Sequence, residues 1–281
     1  PWSEIEPFQL NKSQKKLQGY SIAGLRTNFM IGTDLMLDAG LSSPFSPKII
    51  LITHGHSDHT ASLPFHLYNS DPNAEPIKIF CPKEIVKVLN NYIVSMFQMS
   101  DNDQEMIPHG YQIIGVDENT SPVEISIGKQ PHLLEFYKCY HSIPCIGYGI
   151  TLIKNKLKKE YIGLSGNEIK ELKKNGCELT EKIYEPEFYF SGDTTHELFL
   201  NQKILSYPNI IVECSFVGEE DLHNAESKKH MNWLNLKPYV QNNPNTTWIL
   251  THFSQKYKKE FISNFFDLEK LTNIKVWCNL K

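Results

Sequence analysis

Short apolar runs, each stopped by a chemically distinctive polar residue, set the pattern of this chain. Ile49-Ile50-Leu51-Ile52 has the length and β-branched content of a buried strand. It breaks off into Thr53-His54-Gly55-His56-Ser57-Asp58-His59. The theme recurs later. A strand-like segment at 133–140 runs into His141, and Phe188-Tyr189-Phe190 runs into Ser191-Gly192-Asp193. Asn209-Ile210-Ile211-Val212 runs into Glu213, and Thr247-Trp248-Ile249-Leu250-Thr251 runs into His252. Five apolar strands that each end in an imidazole or a carboxylate are hard to ascribe to chance.

The remaining pattern predicts a mixed α/β chain. Met30-Ile31 and Leu35-Met36-Leu37, separated by Gly32-Thr33-Asp34, form a hairpin. Asp38 follows, and with Gly40 close behind it reads as a turn-capping residue; a place beside a metal is the alternative. Ala61 to Leu67 reads as a helix packed behind the histidines, with His66 a packing or surface residue rather than a ligand. Residues 82–100 form an amphipathic helix, because Ile85, Leu89, Tyr92, Ile93, Met96 and Phe97 recur at three- and four-residue spacing and Pro82 suits a first turn. Further strands are expected at 111–116, 123–127 and Ile150 to Ile153. Residues 154–187 carry eight Lys and seven Glu, which marks a charged excursion, either a solvated loop or a local basic patch at Lys154–Lys159. A short helix from Asn167 to Asn175, closed by Gly176, fits inside it.

Composition narrows the class without naming a reaction. With 281 residues, 40% hydrophobic and 21% charged, the chain can bury a substantial core as an ordinary soluble protein. Its formal net charge of -4 argues against bulk attraction to nucleic acid, though not against a local patch. The six cysteines include no C-x-x-C pair, which disfavours a thiolate zinc site and points to a reducing, intracellular, cytoplasmic setting. No apolar run approaches the ~20 residues of a membrane span. Pro1-Trp2-Ser3-Glu4 has no signal-peptide pattern, and a processed targeting segment ahead of it stays open.

Imidazole and carboxylate ligands without thiolate suit zinc, manganese or iron in a catalytic site. One ion cannot use every donor of His54, His56, Asp58 and His59. His54 and His56 alternate along an extended segment and can grip one ion, which leaves Asp58 and His59 for a second. A carboxylate bridges two ions best, and Asp193 is the candidate; His141 would complete the first set and His252 the second. Two ions together lower the pKa of a shared water and hold the oxygens of a substrate.

These residues resemble the metallo-β-lactamase fold, and within it the tRNase Z branch (ribonuclease Z, zinc phosphodiesterase). The resemblance rests on His54-Gly55-His56-Ser57-Asp58-His59 and on His141-Ser142-Ile143-Pro144-Cys145-Ile146-Gly147-Tyr148. It continues in Ser191-Gly192-Asp193-Thr194, Glu213-Cys214-Ser215-Phe216 and Thr251-His252-Phe253-Ser254-Gln255-Lys256-Tyr257, and covers residues 20 to 260. It implies a single-domain four-layer αββα sandwich over residues 1–281, with a site for two divalent metal ions, most readily zinc, at one edge. It implies one ion on His54, His56, His141 and Asp193 and the other on Asp58, His59, Asp193 and His252, with Asp58 also counted among the catalytic residues. It further implies a Glu–His pair that protonates the departing oxygen. Glu213 matches the Glu. His230, in Lys228-Lys229-His230-Met231-Asn232, matches the His better than the nearby His223. Lys256 would bind substrate and offset charge on the phosphoryl group. The implied reaction is phosphodiester hydrolysis, and the implied substrate is precursor tRNA, trimmed of its 3′ trailer by an enzyme that is often a homodimer.

The chain departs from that branch where substrate is held. The 150–190 excursion lacks a Gly/Pro-rich arm, Asp38-Ala39-Gly40-Leu41-Ser42-Ser43 replaces a longer Gly-Glu-Gly-Thr-Gln segment, and Lys256 stands where Arg is usual. Two other readings therefore stand beside tRNA processing. One is a two-metal phosphodiesterase or ester hydrolase for a small molecule; the other is a non-catalytic binding relative, which a complete ligand set disfavours.

Overall fold

The computed structural model describes residues 2, 5–71 and 73–280, so Pro1, Ser3 and Glu4 of the N-terminal reading lie outside the described residues. Two seven-stranded sheets form the centre. In the first, β1 (Phe8–Gln9), β2 (Lys16–Ile22), β3 (Arg26–Ile31), β4 (Leu35–Leu37), β5 (Ile49–Leu51), β6 (Ile77–Pro82) and β7 (Tyr111–Val116) lie in chain order. The second holds β8 (Val123–Ile127), β9 (Gln130–Lys138), β10 (Ile146–Leu157), β11 (Thr180–Phe190), β12 (Asn209–Glu213), β13 (Thr247–Thr251) and β14 (Ile274–Val276), also in chain order. Each sheet starts antiparallel and ends parallel. The parallel pairs are β4 to β7 in one and β11 to β14 in the other. Parallel neighbours need crossovers, and helices supply most of them. These are α1 (Ser57–Thr60), α2 (Leu63–Tyr68) and α3 (Val86–Asp101) on one side, then α5 (Leu222–Lys228), α6 (Trp233–Asn242) and α7 (Lys259–Glu269) on the other; α4 (Gly166–Lys174) lies within the excursion.

Strand alternation builds three apolar layers from these elements. Phe29, Ile31, Ile49, Leu51, Ile211 and Ile249 point between the sheets. Their neighbours Met30, Ile50 and Ile52 face α2 and α3, with Leu63, Leu67, Leu89, Ile93 and Phe97. Ile210, Val212, Trp248 and Leu250 face α6 and α7, with Trp233, Leu236, Val240, Ile262 and Phe266. Every strand beside the site is therefore buried on both faces, and each such aliphatic side chain contributes ~1.5–3 kcal/mol on burial. The architecture is the expected αββα sandwich.

Local differences have local causes. Pro82 ends β6 instead of opening a helix; a 3-10 turn, Lys83–Ile85, precedes α3. The helix expected at Ala61–Leu67 is α2, and a separate turn of helix that was not expected, α1, precedes it. The largest difference is in the charged excursion, which is neither a loop nor an isolated patch. β10 and β11 stay paired out to Leu157↔Thr180, and α4 sits at their tip with a Ser165/Glu168 capping box. Beyond Ile153 neither face of this ladder meets the core, so no apolar alternation marks it.

Candidate metal centre

The C-terminal ends of β4, β5, β11, β12 and β13 emerge at one edge of the sandwich, and the β9–β10 hairpin closes beside them. Parallel pairing is what gathers the ends. Leu37↔Leu51 places Asp38 next to Ile52-Thr53, and Glu213↔Thr251 places Glu213 next to His252. Two glycines let segments approach here. A Cβ on Gly40 would lie 1.7 Å from the Asp58 carbonyl oxygen. Gly192 sits at φ +63, and a Cβ there would lie 2.5 Å from Thr53 Cβ.

All seven expected ligands converge, in two sets that meet at Asp193. His54, His56, His141 and Asp193 offer donor atoms within 4.8 Å of one another, and so do Asp58, His59 and His252. In the first set His54 Nε2 lies 3.0 Å from His56 Nδ1, which lies 3.2 Å from His141 Nε2. In the second, His59 Nε2 lies 3.2 Å from His252 Nε2, which lies 3.3 Å from Asp58 Oδ2. Asp193 spans them, with Oδ2 at 3.7 Å from His54 Nε2 and Oδ1 at 3.4 Å from His59 Nε2.

The outer hydrogen bonds assign the tautomers. His59 Nδ1 donates to Asp38 Oδ2 at 2.7 Å, and His141 Nδ1 donates to the Lys229 carbonyl at 2.9 Å. Thr53 Oγ1 gives its one hydrogen to Asp38 and so accepts from His54 Nδ1 at 3.0 Å. Ser215 Oγ donates to Glu213 Oε2 at 2.6 Å and accepts from His252 Nδ1 at 3.0 Å. Four imidazoles therefore turn Nε2 inward, and two of these nitrogens, on His59 and His252, face each other. Two such nitrogens at 3.2 Å need a proton or a metal ion between them. Asp193 Oδ1 is also buried with no hydrogen-bond partner among the described residues. Both features fit divalent metal, with nitrogen and oxygen donors and no thiolate.

Electrostatics point the same way. Burial, with the neighbouring histidines, holds His54 well below its ordinary pKa, in the neutral form a ligand needs. For Asp58, burial pushes upward, but the His252 hydrogen bond and the His59 charge outweigh it and bring its pKa down to about 2. Burial opposes the charge of Asp193 too, and His252 and His59 overcome it. Two ligand-region residues carry left-handed backbone, Asp38 at φ 55 and His252 at φ 63, the kind of strain that persists where surroundings over-determine a conformation.

Beside the two sets, His230 Nδ1 donates to Glu213 Oε1 at 2.9 Å and lies 3.8 Å from Asp193 Oδ2. Burial would lower the His230 pKa, but Glu213 and Asp193 raise it to about 9. His223 is exposed on α5, away from this cluster. Lys256 is placed differently from expectation. Its ammonium is committed to Asp221, which also binds the Tyr257 hydroxyl, and it lies 5.9 Å from the Phe216 ring. It is not free beside Asp193.

Asp38 takes the second of its two expected places, beside the histidines rather than as a turn cap. It is fully buried and accepts hydrogen bonds from His59, the Thr53 backbone and the Thr53 hydroxyl. Thr53 and Ser215, which orient His54 and His252, had no distinguishing signal of their own.

No family model matches the chain. Comparison with individual proteins does find relatives. The chain is 32% identical over 271 residues to the chloroplastic tRNase Z TRZ2 of Arabidopsis thaliana, covering 90% of this chain and 73% of that protein. It is 29% identical over 250 residues to tRNase Z TRZ1 of the same plant, covering 86% of each. Among solved structures, the metallo-β-lactamase fold protein YhfI from Bacillus subtilis superposes with a TM-score of 0.61 at 13% identity, covering 94% of this chain and 97% of that one. That likeness shows the fold.

Proposed function

The chain belongs to the tRNase Z family, and from that premise we propose that it is an endoribonuclease that hydrolyses one phosphodiester of precursor tRNA to release the 3′ trailer. What supports the reading beyond family is a single arrangement: a Glu–His pair, Glu213 and His230, set beside two ligand sets that share Asp193. A metal-binding protein without turnover has no use for the pair. Two divalent ions, zinc by preference with manganese or iron as alternatives, would supply an activated water and positive charge for the phosphoryl oxygens. His54, His56 and His141 would hold one ion and Asp58, His59 and His252 the other, with Asp193 between them. Glu213 keeps the His230 ring turned to the reacting centre. His230 hands its proton to the ribose oxygen as that oxygen departs. Lys256, paired with Asp221, would meet substrate away from the reacting group rather than offset charge on it.

None of the described helices is long and apolar enough to cross a membrane. A homodimer and an intracellular site, cytoplasmic or organellar, belong to the same proposal; a relative at 32% identity is described as chloroplastic. The test supplies zinc- or manganese-loaded protein with a precursor tRNA bearing a 3′ trailer, and separately with bis(p-nitrophenyl) phosphate. A single cut at the base of the trailer is expected. Diester turnover without that cut would favour a small-molecule phosphodiesterase.

A further inference from the structure

A cavity of about 360 Å³ opens beside His230, between α5, α6 and the turn that follows Asp193. His196, Glu197, Glu226, Lys229, His230 and Asn235 line it. Its size suits a small organic group held by a few polar contacts. Its position follows from the proton donor. His230 Nδ1 is taken by Glu213, so Nε2 is the nitrogen open to a substrate. A donor must lie within hydrogen-bond reach of the oxygen it protonates, so the sugar carrying that oxygen has to sit next to His230, on the side away from Glu213.

The lining says what kind of group fits. Glu197 and Glu226 stand against Lys229 and the His230 ring, so the cavity holds no surplus of positive charge. No hydrogen bond among the described residues occupies the side chains of His196 or Asn235, which leaves an amide and an imidazole free to donate and accept. The backbone around it is fixed. Lys229 takes a left-handed conformation at φ 57 with its carbonyl held by His141, and α6 is capped by Asn232 one turn before Asn235. We propose that this cavity is the subsite for the leaving nucleoside, and that Asn235 and His196 read the edge of its base by neutral hydrogen bonds. The subsite rests on the proposed RNA hydrolysis and specifies which side of the cut the protein recognises.

The test uses two precursor RNAs that differ only at the nucleotide whose ribose oxygen departs, one intact and one abasic. kcat/KM is measured for wild type, Asn235→Ala and His196→Ala. Alanine is a better helix former than asparagine, and circular dichroism with metal counting checks that each variant is folded and loaded. Wild type should lose about tenfold on the abasic precursor, the size of one to two neutral hydrogen bonds, and the variants less than about threefold, because their contact is already gone. Equal penalties in all three proteins, or none in wild type, overturn the subsite. If wild type cuts neither precursor but still hydrolyses bis(p-nitrophenyl) phosphate, the tRNA reading falls. The subsite is then judged by the same two criteria on dinucleoside monophosphates with and without the leaving base. Failure to turn those over, with diester hydrolysis intact, overturns the subsite as well.

Discussion

Replacing Asp38 by Asn should expel metal without unfolding the protein. Asp38 is buried, at φ 55, a conformation that Asn tolerates nearly as well as any residue but Gly. In the wild type its two oxygens accept from Thr53 N at 2.8 Å, Thr53 Oγ1 at 3.0 Å and His59 Nδ1 at 2.7 Å. An amide keeps one oxygen, enough for the two Thr53 donors, but presents an NH₂ to His59. Two donors cannot face each other, so the ring must take the other tautomer, with its proton on Nε2. That proton then points at His252 and blocks the lone pair on which the second ligand set depends.

Loss of such an orienting partner typically costs 10- to 100-fold in metal affinity, about 1.4–2.8 kcal/mol. A forced tautomer belongs at the upper end. The assay is chelator competition with metal counting by mass spectrometry, beside urea unfolding of the metal-free protein. Asp38→Asn should retain the first ion, lose the second, and unfold within about 1 kcal/mol of wild type, since no buried backbone donor is stranded. Thr53→Val gives the complementary result, because it removes the acceptor of His54 and should weaken the first set. If Asp38→Asn binds both ions with affinity within about threefold of wild type, well short of the effect of a lost orienting partner, the tautomer reasoning is wrong.

Three other outcomes follow from the same geometry. His230→Ala should slow diester hydrolysis ~10²–10⁴-fold with metal content unchanged; since Asp193, His230 and His252 also lie within ligand distance of one another, loss of metal would make His230 a ligand instead. Gly40→Ala should destabilise by about 3 kcal/mol, at the top of the overpacking range, because its Cβ would meet the Asp58 carbonyl at 1.7 Å, and urea unfolding reads this directly. Burial would raise the Glu187 pKa, but hydrogen bonds from His132 and Lys15 outweigh it and hold it below its ordinary 4.5. A depressed folded pKa adds stability that is present above the unfolded pKa and lost as pH falls through the folded one. Unfolding curves of wild type should therefore show an acid-side loss below pH 4.5 that is smaller in Glu187→Gln.

The candidate ligands were legible because they follow strands buried on both faces, and such strands write continuous apolar runs. Ile49–Leu51, Asn209–Glu213 and Thr247–Thr251 all have this form. The outer half of the β10–β11 ladder was not legible. Lys154↔Ile183 and Lys156↔Glu181 pair in solvent on both faces, so nothing in their spacing separates strand from loop. The place of Asp38 was left open between two alternatives for a different reason. Its chemistry depends on parallel pairing of β4 with β5, a contact that local turn signals around Gly40 cannot report. Asp221 is the same case, since only tertiary packing brings it to Lys256 and removes that ammonium from the reacting centre.

Asp38 also reveals how the centre is organised. Two buried carboxylates outside the two ligand sets control four imidazoles, and each sheet supplies one. Asp38, from the first sheet, takes His59 directly and His54 through Thr53. Glu213, from the second, takes His230 directly and His252 through Ser215. Each therefore fixes one ring by a charged hydrogen bond and one through a hydroxyl that can only relay. The inward Nε2 atoms of His54, His59 and His252 are aimed by the protein before any ion arrives, so loading requires no rotation of these three rings. Glu213 also accepts the Thr194 backbone N–H at 2.7 Å, next to Asp193. The carboxylate that aims the proposed proton donor thus also holds the segment bearing the proposed bridging ligand. A substitution at Glu213 should disturb proton transfer and metal retention together, whereas one at His230 should separate them.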